Sequence, residues 1–220
     1  MNSSPEFSVF TRLLERSRTR NLRSGEVLFR EGDHGTLVGI VLKGQVKIWR
    51  ATINGSQDVL AFRSERDLVG RTAVLDGKVR TATVEAQVRS RVALVPGSVY
   101  LDVLQASNLR VGVERDIRKR VDESRTVRGL DPSIARLAYA FTTLLDRRIA
   151  DTPGSPRTVI LHSSRADLAR YLGIGRNRIS RLLVEMGSVG VRASHAQIEI
   201  QDSSRLREMA RSVRVSERRQ

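Results

Sequence analysis

The sequence of 220 residues predicts an α+β fold, in which a β-rich amino-terminal half precedes a long linking helix and a helical carboxy-terminal part with a small β wing. Two observations support this prediction. Short β-rich runs alternate with glycine-containing turns up to Val95, and apolar residues at helical spacing replace them from about Ser98. Many short strands at this spacing are typical of a small barrel or jelly roll.

The β-rich half begins with a short amphipathic helix, expected at residues 6–17. The strands that follow are predicted at residues 26–30, 37–42, 45–52, 58–62, 80–86 and 91–95. Asn54-Gly55 separates two of these runs, and this dipeptide is a strong hairpin signal because both residues tolerate positive φ angles. We therefore expect an antiparallel hairpin at this point.

The linking helix carries a narrow apolar seam along an otherwise charged surface. Its members are Val113, Ile117, Val121 and Ser124. Such a seam either lies on the barrel or pairs with the same seam of a second chain, and the coiled-coil spacing favours pairing. The sequence therefore predicts a dimerisation helix and hinge at residues 109–130, between a β-barrel domain at 1–108 and a winged helix-turn-helix domain at 131–220.

The carboxy-terminal domain is expected to start at Asp131-Pro132, a cap followed by a first-turn proline. The inner face of its first helix consists of Ile134, Leu137, Ala138, Phe141, Leu144 and Leu145. A Pro- and Gly-containing loop is predicted at 150–156. Two strands around Ser194-His195-Ala196 form the wing, and a last helix at 204–213 precedes an Arg-rich tail that is expected to be disordered.

Residues 163–186 have the pattern of two short helices joined at a glycine turn. Ser164 can cap the first helix, with Asp167 three residues later, and Gly173 supplies the freedom that a tight turn requires. Gly175 is a tolerable cap for the second helix. This is the pattern of a helix-turn-helix.

The second helix of this pair has an apolar stripe and a polar face. The stripe is formed by Ile179, Leu182, Leu183 and Met186. Long cationic side chains and an amide on the opposite face suit phosphates, guanine and adenine edges. The residues expected to contact double-stranded DNA are Ser164, Arg165, Arg176, Asn177, Arg178, Ser180 and Arg181.

The composition agrees with a polyanionic partner and narrows the function classes. A formal net charge of +15 favours nucleic acid, although the excess is spread along the whole chain. The absence of cysteine excludes disulfides and Cys-ligated metals, and no apolar run is long enough to span a membrane. We expect a cytoplasmic protein that is not an enzyme.

These motifs together resemble the CRP/FNR family of bacterial transcription regulators, over nearly the whole chain. The glycine framework from Gly25 to Asp33, with Gly44-Gln-Val-Lys-Ile, matches the family's barrel, and residues 164–173 and 176–183 match its DNA-binding half. The resemblance implies a homodimer that binds double-stranded DNA and contacts RNA polymerase at promoters. It also implies a cyclic-nucleotide-binding-like barrel.

The family's cyclic-nucleotide cassette stands here at residues 70–84. By resemblance, Gly70, Arg71, Arg80 and Thr81 form an effector site, in which Arg80 and Thr81 would hold an anionic phosphate. Arg71 replaces the family's glutamate and has no acceptor for a ribose hydroxyl. We therefore expect weak cyclic AMP binding, which leaves a more anionic effector, or a ligand-free barrel in which Arg80 pairs with Glu85 or Asp76.

The DNA-reading helix departs from its relatives as well. They commonly carry Glu and Arg four residues apart, and this chain has Asn177 and Arg181. Glutamate accepts from cytosine, whereas asparagine pairs with adenine N6 and N7. The preferred half-site is expected to differ accordingly.

Two other classes of function compete with this interpretation. A cupin-like metalloenzyme needs clustered ligands, but His34, His162 and His195 are far apart in sequence, and a haem sensor would depend on the single loop residue His34. Alternatively, the helix pair docks on a protein and the chain is a partner-binding or ligand-binding module. The salt sensitivity of duplex binding separates that module from a DNA-binding regulator.

Overall fold

A computed structural model of the chain describes residues 5–108, 112–118, 134–151 and 158–217. The chain divides into two compact units, Met1–Asp122 and Glu123–Gln220. The predicted positions Val121, Ser124, Asp131 and Pro132 lie outside the described residues, as does most of the predicted 150–156 loop.

The described residues of the first unit form two antiparallel sheets and four helices. In chain order its elements are α1 (Pro5–Glu15), β1 (Arg18–Leu22), β2 (Val27–Phe29), β3 (Leu37–Lys43), β4 (Val46–Ala51), β5 (Gln57–Arg63), β6 (Leu68–Val69), α2 (Arg71–Asp76), β7 (Thr83–Ala86), β8 (Ser90–Pro96), α3 (Gly97–Ala106) and α4 (112–118). The strand orders are β1-β8-β3-β6 and β2-β7-β4-β5.

The two sheets form a jelly-roll-like sandwich, and among the described residues no strand joins them into a closed barrel. The reason lies at the edges, where β6 has two residues and β2 has three, too few to continue the hydrogen-bonded ladder around the unit. The predicted jelly roll is therefore confirmed, and a closed barrel is wrong.

Alternating apolar residues create two layers of core in this unit. Between the sheets lie Leu22, Leu28, Phe29, Val41, Val46, Val69, Val84, Ala86 and Val92. The outer face of the β1-β8-β3-β6 sheet packs against α1 and α3, with Leu13, Val38, Ile40, Ala93, Val95, Tyr100, Val103 and Leu104 buried there. Half-buried Val113 of α4 packs against this second cluster, so this member of the seam contacts the first unit.

The hairpin predicted at Asn54-Gly55 is present. Strands β4 and β5 pair from Val46–Arg63 to Ala51–Gln57, and Gly55 has the expected positive φ of 72°. The Gly55 amide donates to the Thr52 carbonyl over 2.9 Å and closes the turn. The dipeptide therefore predicted the local geometry correctly.

The described residues of the second unit form a three-stranded sheet and four α-helices. Its elements are α5 (Ile134–Asp151), β9 (Thr158–His162), α6 (Arg165–Leu172), α7 (Arg176–Glu185), a 3-10 turn (Met186–Val189), β10 (Val191–Ala193), β11 (Gln197–Gln201) and α8 (Ser204–Glu217). The sheet order is β10-β11-β9, so the predicted wing gains a third strand.

Helix α8 is longer than expected and includes part of the tail that was expected to be disordered. It ends at Glu217 instead of residue 213. Its first turns are held in place, since Leu206 is fully buried and Arg207 donates to Asp146 over 2.8 Å and to Asp202 over 3.0 Å. The predicted helix is therefore present, and four residues of the expected tail belong to it.

Candidate functional site

Helix α6 begins with the predicted cap. The Ser164 hydroxyl accepts a hydrogen bond from the Asp167 amide over 3.0 Å, which satisfies one of the free donors of the first turn. The Asp167 carboxylate accepts from Arg170 over 3.0 Å. Leu168, Ala169 and Leu172 form the buried face of this helix.

The turn between α6 and α7 depends on Gly173. This residue has φ 66° and ψ 36°, a left-handed conformation that a side chain disfavours, and its amide donates to the Arg170 carbonyl. Gly175 caps α7 with extended backbone angles and without a side-chain hydrogen bond. The two helices therefore have the predicted helix-turn-helix connection.

Helix α7 separates an apolar face from a polar one. Ile179, Leu182, Leu183 and Met186 are all less than a tenth exposed. Asn177 and Arg181 lie on the opposite face, and the exposed side chains of Arg176 and Arg178 flank it. The helix thus presents several hydrogen-bond donors and positive charges to the solvent.

The remaining predicted contact residues flank this face. Ser164 and Arg165 are exposed at the start of α6, where the helix N-terminus and the guanidinium both favour an anion. Ser180 is half-buried, and its hydroxyl donates to the Arg176 carbonyl over 3.2 Å. Its oxygen retains acceptor capacity, but its proton is directed to the helix backbone.

The 70–84 cassette places Arg80 inside the sandwich. Its guanidinium donates to the Leu37 carbonyl over 2.8 Å and to the Gly70 carbonyl over 3.5 Å, and it lies 3.6 Å from the centre of the Phe29 ring. Burial lowers the pKa of Arg80, and the charge of Asp33 opposes that shift. The arginine is therefore engaged by protein carbonyls and an aromatic face.

The expected partners of Arg80 in a ligand-free barrel were wrong. Arg80 forms an ion pair with neither Glu85 nor Asp76. Glu85 instead lies 3.3 Å from the Lys47 ammonium and accepts from the Trp49 indole over 2.9 Å. The Glu85 carboxylate thus contacts Lys47 and Trp49 of its own sheet instead of Arg80.

Arg71 forms an ion pair with α4. Its Nη2 atom lies 3.0 Å from Asp116 Oδ2, and its side chain is only 11% exposed. Tyr100, which is fully buried on α3, is influenced by both charges. Sequence reasoning missed this contact because the residues are separated by 45 positions and share no local pattern.

The other two cassette residues differ in their surroundings. Gly70 has φ 77°, and a side chain there would collide with Arg80 and Phe29. Thr81 is exposed. The structure thus brings Gly70 and Arg80 together and leaves Arg71 and Thr81 in different environments.

Metal and membrane functions find no support in the parts of the chain that the structure describes. Across those residues no group of three His, Asp or Glu side chains could hold a metal ion. His34 and His195 are exposed. None of the described helices is long and apolar enough to cross a membrane.

Comparisons with known proteins match both units. The cyclic nucleotide-binding domain family matches residues 19–107, and the Crp-like helix-turn-helix domain family matches residues 135–209. The fumarate and nitrate reduction regulatory protein of Escherichia coli (strain K12) is 27% identical over 192 residues, which cover 84% of this chain and 76% of that protein.

Two further similarities extend over most of the chain. The cyclic AMP receptor protein of Thermus thermophilus is 27% identical over 192 residues, which cover 84% of this chain and 85% of that protein. The structure of FixK2 from Bradyrhizobium japonicum has the same fold, with a TM-score of 0.68 and 21% identity, covering 88% of this chain and 96% of that chain. The jelly-roll-like unit, the helix-turn-helix unit and these matches agree, and the chain belongs to the CRP/FNR family of transcription regulators.

Proposed function

We propose that the chain regulates transcription as a homodimer that binds near-palindromic double-stranded DNA through α7. The observation that supports the proposal most strongly is the exposed polar face of this helix, with Asn177 and Arg181 at its centre and Arg176 and Arg178 beside them. Asparagine and arginine form bidentate hydrogen bonds to adenine and guanine in the major groove.

Phosphate contacts would orient the reading helix. Ser164 and Arg165 lie exposed at the start of α6, and Arg178 lies on α7. Contacts from such residues fix the position of a protein on the duplex without reading its sequence. Ser180 makes no phosphate contact of this kind, because its proton is donated to the Arg176 carbonyl; its oxygen is left to accept from a donor such as a base amino group.

The homodimer is supported by the apolar residues of α4. Val113 and Ile117 are both only half-buried, and the sequence continues their spacing to Val121 and Ser124. A second copy would cover this seam and place two α7 helices in successive major grooves, roughly 34 Å apart. Contact with RNA polymerase at the promoter belongs to the same proposal.

For the first unit we favour the alternative in which it holds no ligand over the one in which it binds a small anionic effector. Arg80 donates to two backbone carbonyls, and Arg71 pairs with Asp116. An effector would have to replace these contacts in order to gain its own. Regulation by an effector would require that it bind one dimer geometry better than another.

Selection of bound sequences from random duplex DNA, with purified full-length chain, tests the proposal. We expect an inverted-repeat motif, a dimeric mass by sedimentation and a steep loss of affinity with rising salt. The substitution Arg91→Ala, at an exposed arginine of β8, is the matched control and should leave the motif unchanged. A second selection in the presence of cell extract reports whether an effector alters the motif or the affinity.

Two results would contradict the proposal. If a monomer binds one half-site as tightly as the full site, DNA binding does not require a homodimer. Recovery of no motif, together with weak binding that is the same for every duplex, would favour a module that docks on protein.

A further inference from the structure

The polar face of α7 contains one exposed apolar residue. Val184 is 80% exposed. Among the residues that the structure describes, the other large apolar side chains with high exposure are Ile53, Val79 and Ile160, none of which belongs to this helix. Of these four residues, only Val184 therefore lies on α7.

Helical geometry places Val184 at the centre of the reading face. At 100° per residue, it lies about 20° around the helix axis from Asn177 and about 60° from Arg181. The buried stripe of Ile179, Leu182 and Leu183 faces the opposite direction. The apolar side chain of Val184 therefore points in nearly the same direction as Asn177 and Arg181, the two candidates for base reading.

Folding gives no reason for valine at this position. The side chain makes little contact with the core because it is 80% exposed, and β-branched residues have lower helix propensity than alanine. The surrounding positions Arg181 and Glu185 are charged and exposed. The valine is therefore better explained by a ligand that has an apolar group.

The major groove of DNA offers one such group. Thymine alone among the four bases presents a methyl group there, and apolar side chains contact it. We propose that Val184 contacts a thymine methyl and adds specificity for that base. This inference rests on the proposed function, since it requires α7 to lie in the major groove.

The position of the thymine follows from the helix rise. Val184 lies about 4.5 Å along the axis beyond Arg181 and about 10 Å beyond Asn177. A reading helix lies in the major groove and not along the duplex axis, so this rise gives the order of the contacts and not a number of base pairs. The thymine therefore lies beyond the pair that Arg181 reads, on the side away from the pair that Asn177 reads.

Replacement of thymine by deoxyuridine tests the contact, because uracil lacks only the methyl group. Starting from the selected duplex, each thymine of one half-site is replaced in turn, and the dissociation constant is measured for the wild type, Val184→Ala and the control Val79→Ala. Val79 is also an exposed valine, but it belongs to the first unit.

For the wild type and Val79→Ala we expect one replacement, at the stated position, to weaken binding about fourfold, equivalent to roughly 0.8 kcal/mol for a buried methylene-sized group. Val184→Ala should bind the thymine and uracil duplexes equally. Alanine favours the helix, so this variant is expected to fold.

The possible failures are distinguishable. If the wild type binds a specific motif but is insensitive to every uracil replacement, or if Val184→Ala keeps the sensitivity, the thymine contact is wrong and the proposed function stands. If no specific motif is selected, the proposed function fails and this inference fails with it.

Discussion

Arg71 and Asp116 form an ion pair over 3.0 Å, which connects the first residue of α2 to α4. The arginine is largely buried, whereas the aspartate is 40% exposed. In a family whose relatives carry an acidic residue at this cassette position, the chain has instead an internal cross-link between its sensor-like sheets and the helix that follows them.

Loss of this ion pair should destabilise the first unit. We expect Asp116→Ala to lower the free energy of unfolding by about 1–3 kcal/mol, since the Arg71 guanidinium loses a charged hydrogen-bond acceptor in a largely buried position. Urea denaturation of the full chain, followed by Trp49 fluorescence, measures the change. The pair Arg50–Asp58, whose arginine is 56% exposed, offers a control, and Arg50→Ala should cost less than about 1 kcal/mol.

The charge-swapped variant Arg71→Asp/Asp116→Arg should recover part of the stability lost by Asp116→Ala. A swap that is less stable than either single substitution would show that the orientation of this pair matters beyond its charges.

Tyr100 should become a source of alkaline instability. Its hydroxyl is buried without a hydrogen-bond partner among the described residues, and burial raises the pKa of Tyr100 above its ordinary value of 10.0, with Arg71 lowering it and Asp116 raising it. Above that ordinary value the unfolded chain releases a proton that the folded chain keeps. Stability is therefore lost as the pH rises.

The substitution Tyr100→Phe removes both effects. We expect the variant to be as stable as the wild type at neutral pH, or more stable by about 1 kcal/mol, because an unsatisfied buried group is lost. As the pH rises from about 10 to about 11, it should lose less stability than the wild type. Urea titrations at each pH give the free energy of unfolding. If this free energy falls equally steeply with pH in both proteins across this range, the pKa of Tyr100 is not raised.

Gly70 and Gly173 are both left-handed and form a matched pair for substitution. Gly173→Ala should cost about 1–2 kcal/mol from backbone strain alone, because its nearest neighbour, Arg136 Nη2, is 3.8 Å from the added carbon. Gly70→Ala should cost more, since the added carbon collides with Arg80 and lies 2.9 Å from Phe29 Cε2. Calorimetric unfolding of each variant compares the two; equal losses would mean that Arg80 moves freely.

Cyclic AMP should bind the wild type weakly. Arg71 offers no acceptor to the ribose, and Arg80 is held by the Leu37 and Gly70 carbonyls. Calorimetry should show tighter binding by Arg71→Glu, which restores the acceptor, with Asp116→Asn added so that two carboxylates do not face each other. Asp116→Asn alone serves as the control. Micromolar binding by the wild type that is unchanged in these variants would refute this role of Arg71.

Arg181 and Asn177 should control different base pairs. Arg181→Ala is expected to cost about 1–3 kcal/mol on the selected site and to relax the preference at one base pair. Asn177→Glu should shift the preference at a neighbouring pair towards cytosine. Arg165→Ala, at a phosphate-contact candidate, should weaken all duplexes alike. If Arg181→Ala selects the same motif as the wild type, the assignment of base reading to α7 is wrong.

Elements with a local signal could be predicted from the sequence. The Ser164 cap, the Gly173 turn and the α7 stripe each depend on residues within a few positions of one another. Strand β1 was missed because four of its five residues are exposed, so it lacks alternation and depends on pairing with β8.

Helix α2 was missed for a related reason. It has six residues between Gly70 and Gly77, which both have left-handed backbone conformations. In the sequence these residues match a ligand cassette, and no helix was therefore predicted there. The partners of Arg71 and Arg80 are distant in sequence, and only the packed sheets bring them together. The exposed and buried positions along one helix were thus predictable, whereas the contacts that depend on tertiary packing were not.

The packing of α8 on α5 has a consequence for synthesis of the protein. Leu206 and the contact of Arg207 with Asp146 hold α8 against the rest of the second unit, so the earlier helices of this unit lack that support until α8 has been synthesised. A message truncated before codon 204 would give an intact first unit and an unsupported helix-turn-helix. A nonsense codon ahead of α8 would therefore damage the second unit even though it leaves α5, α6 and α7 in the chain.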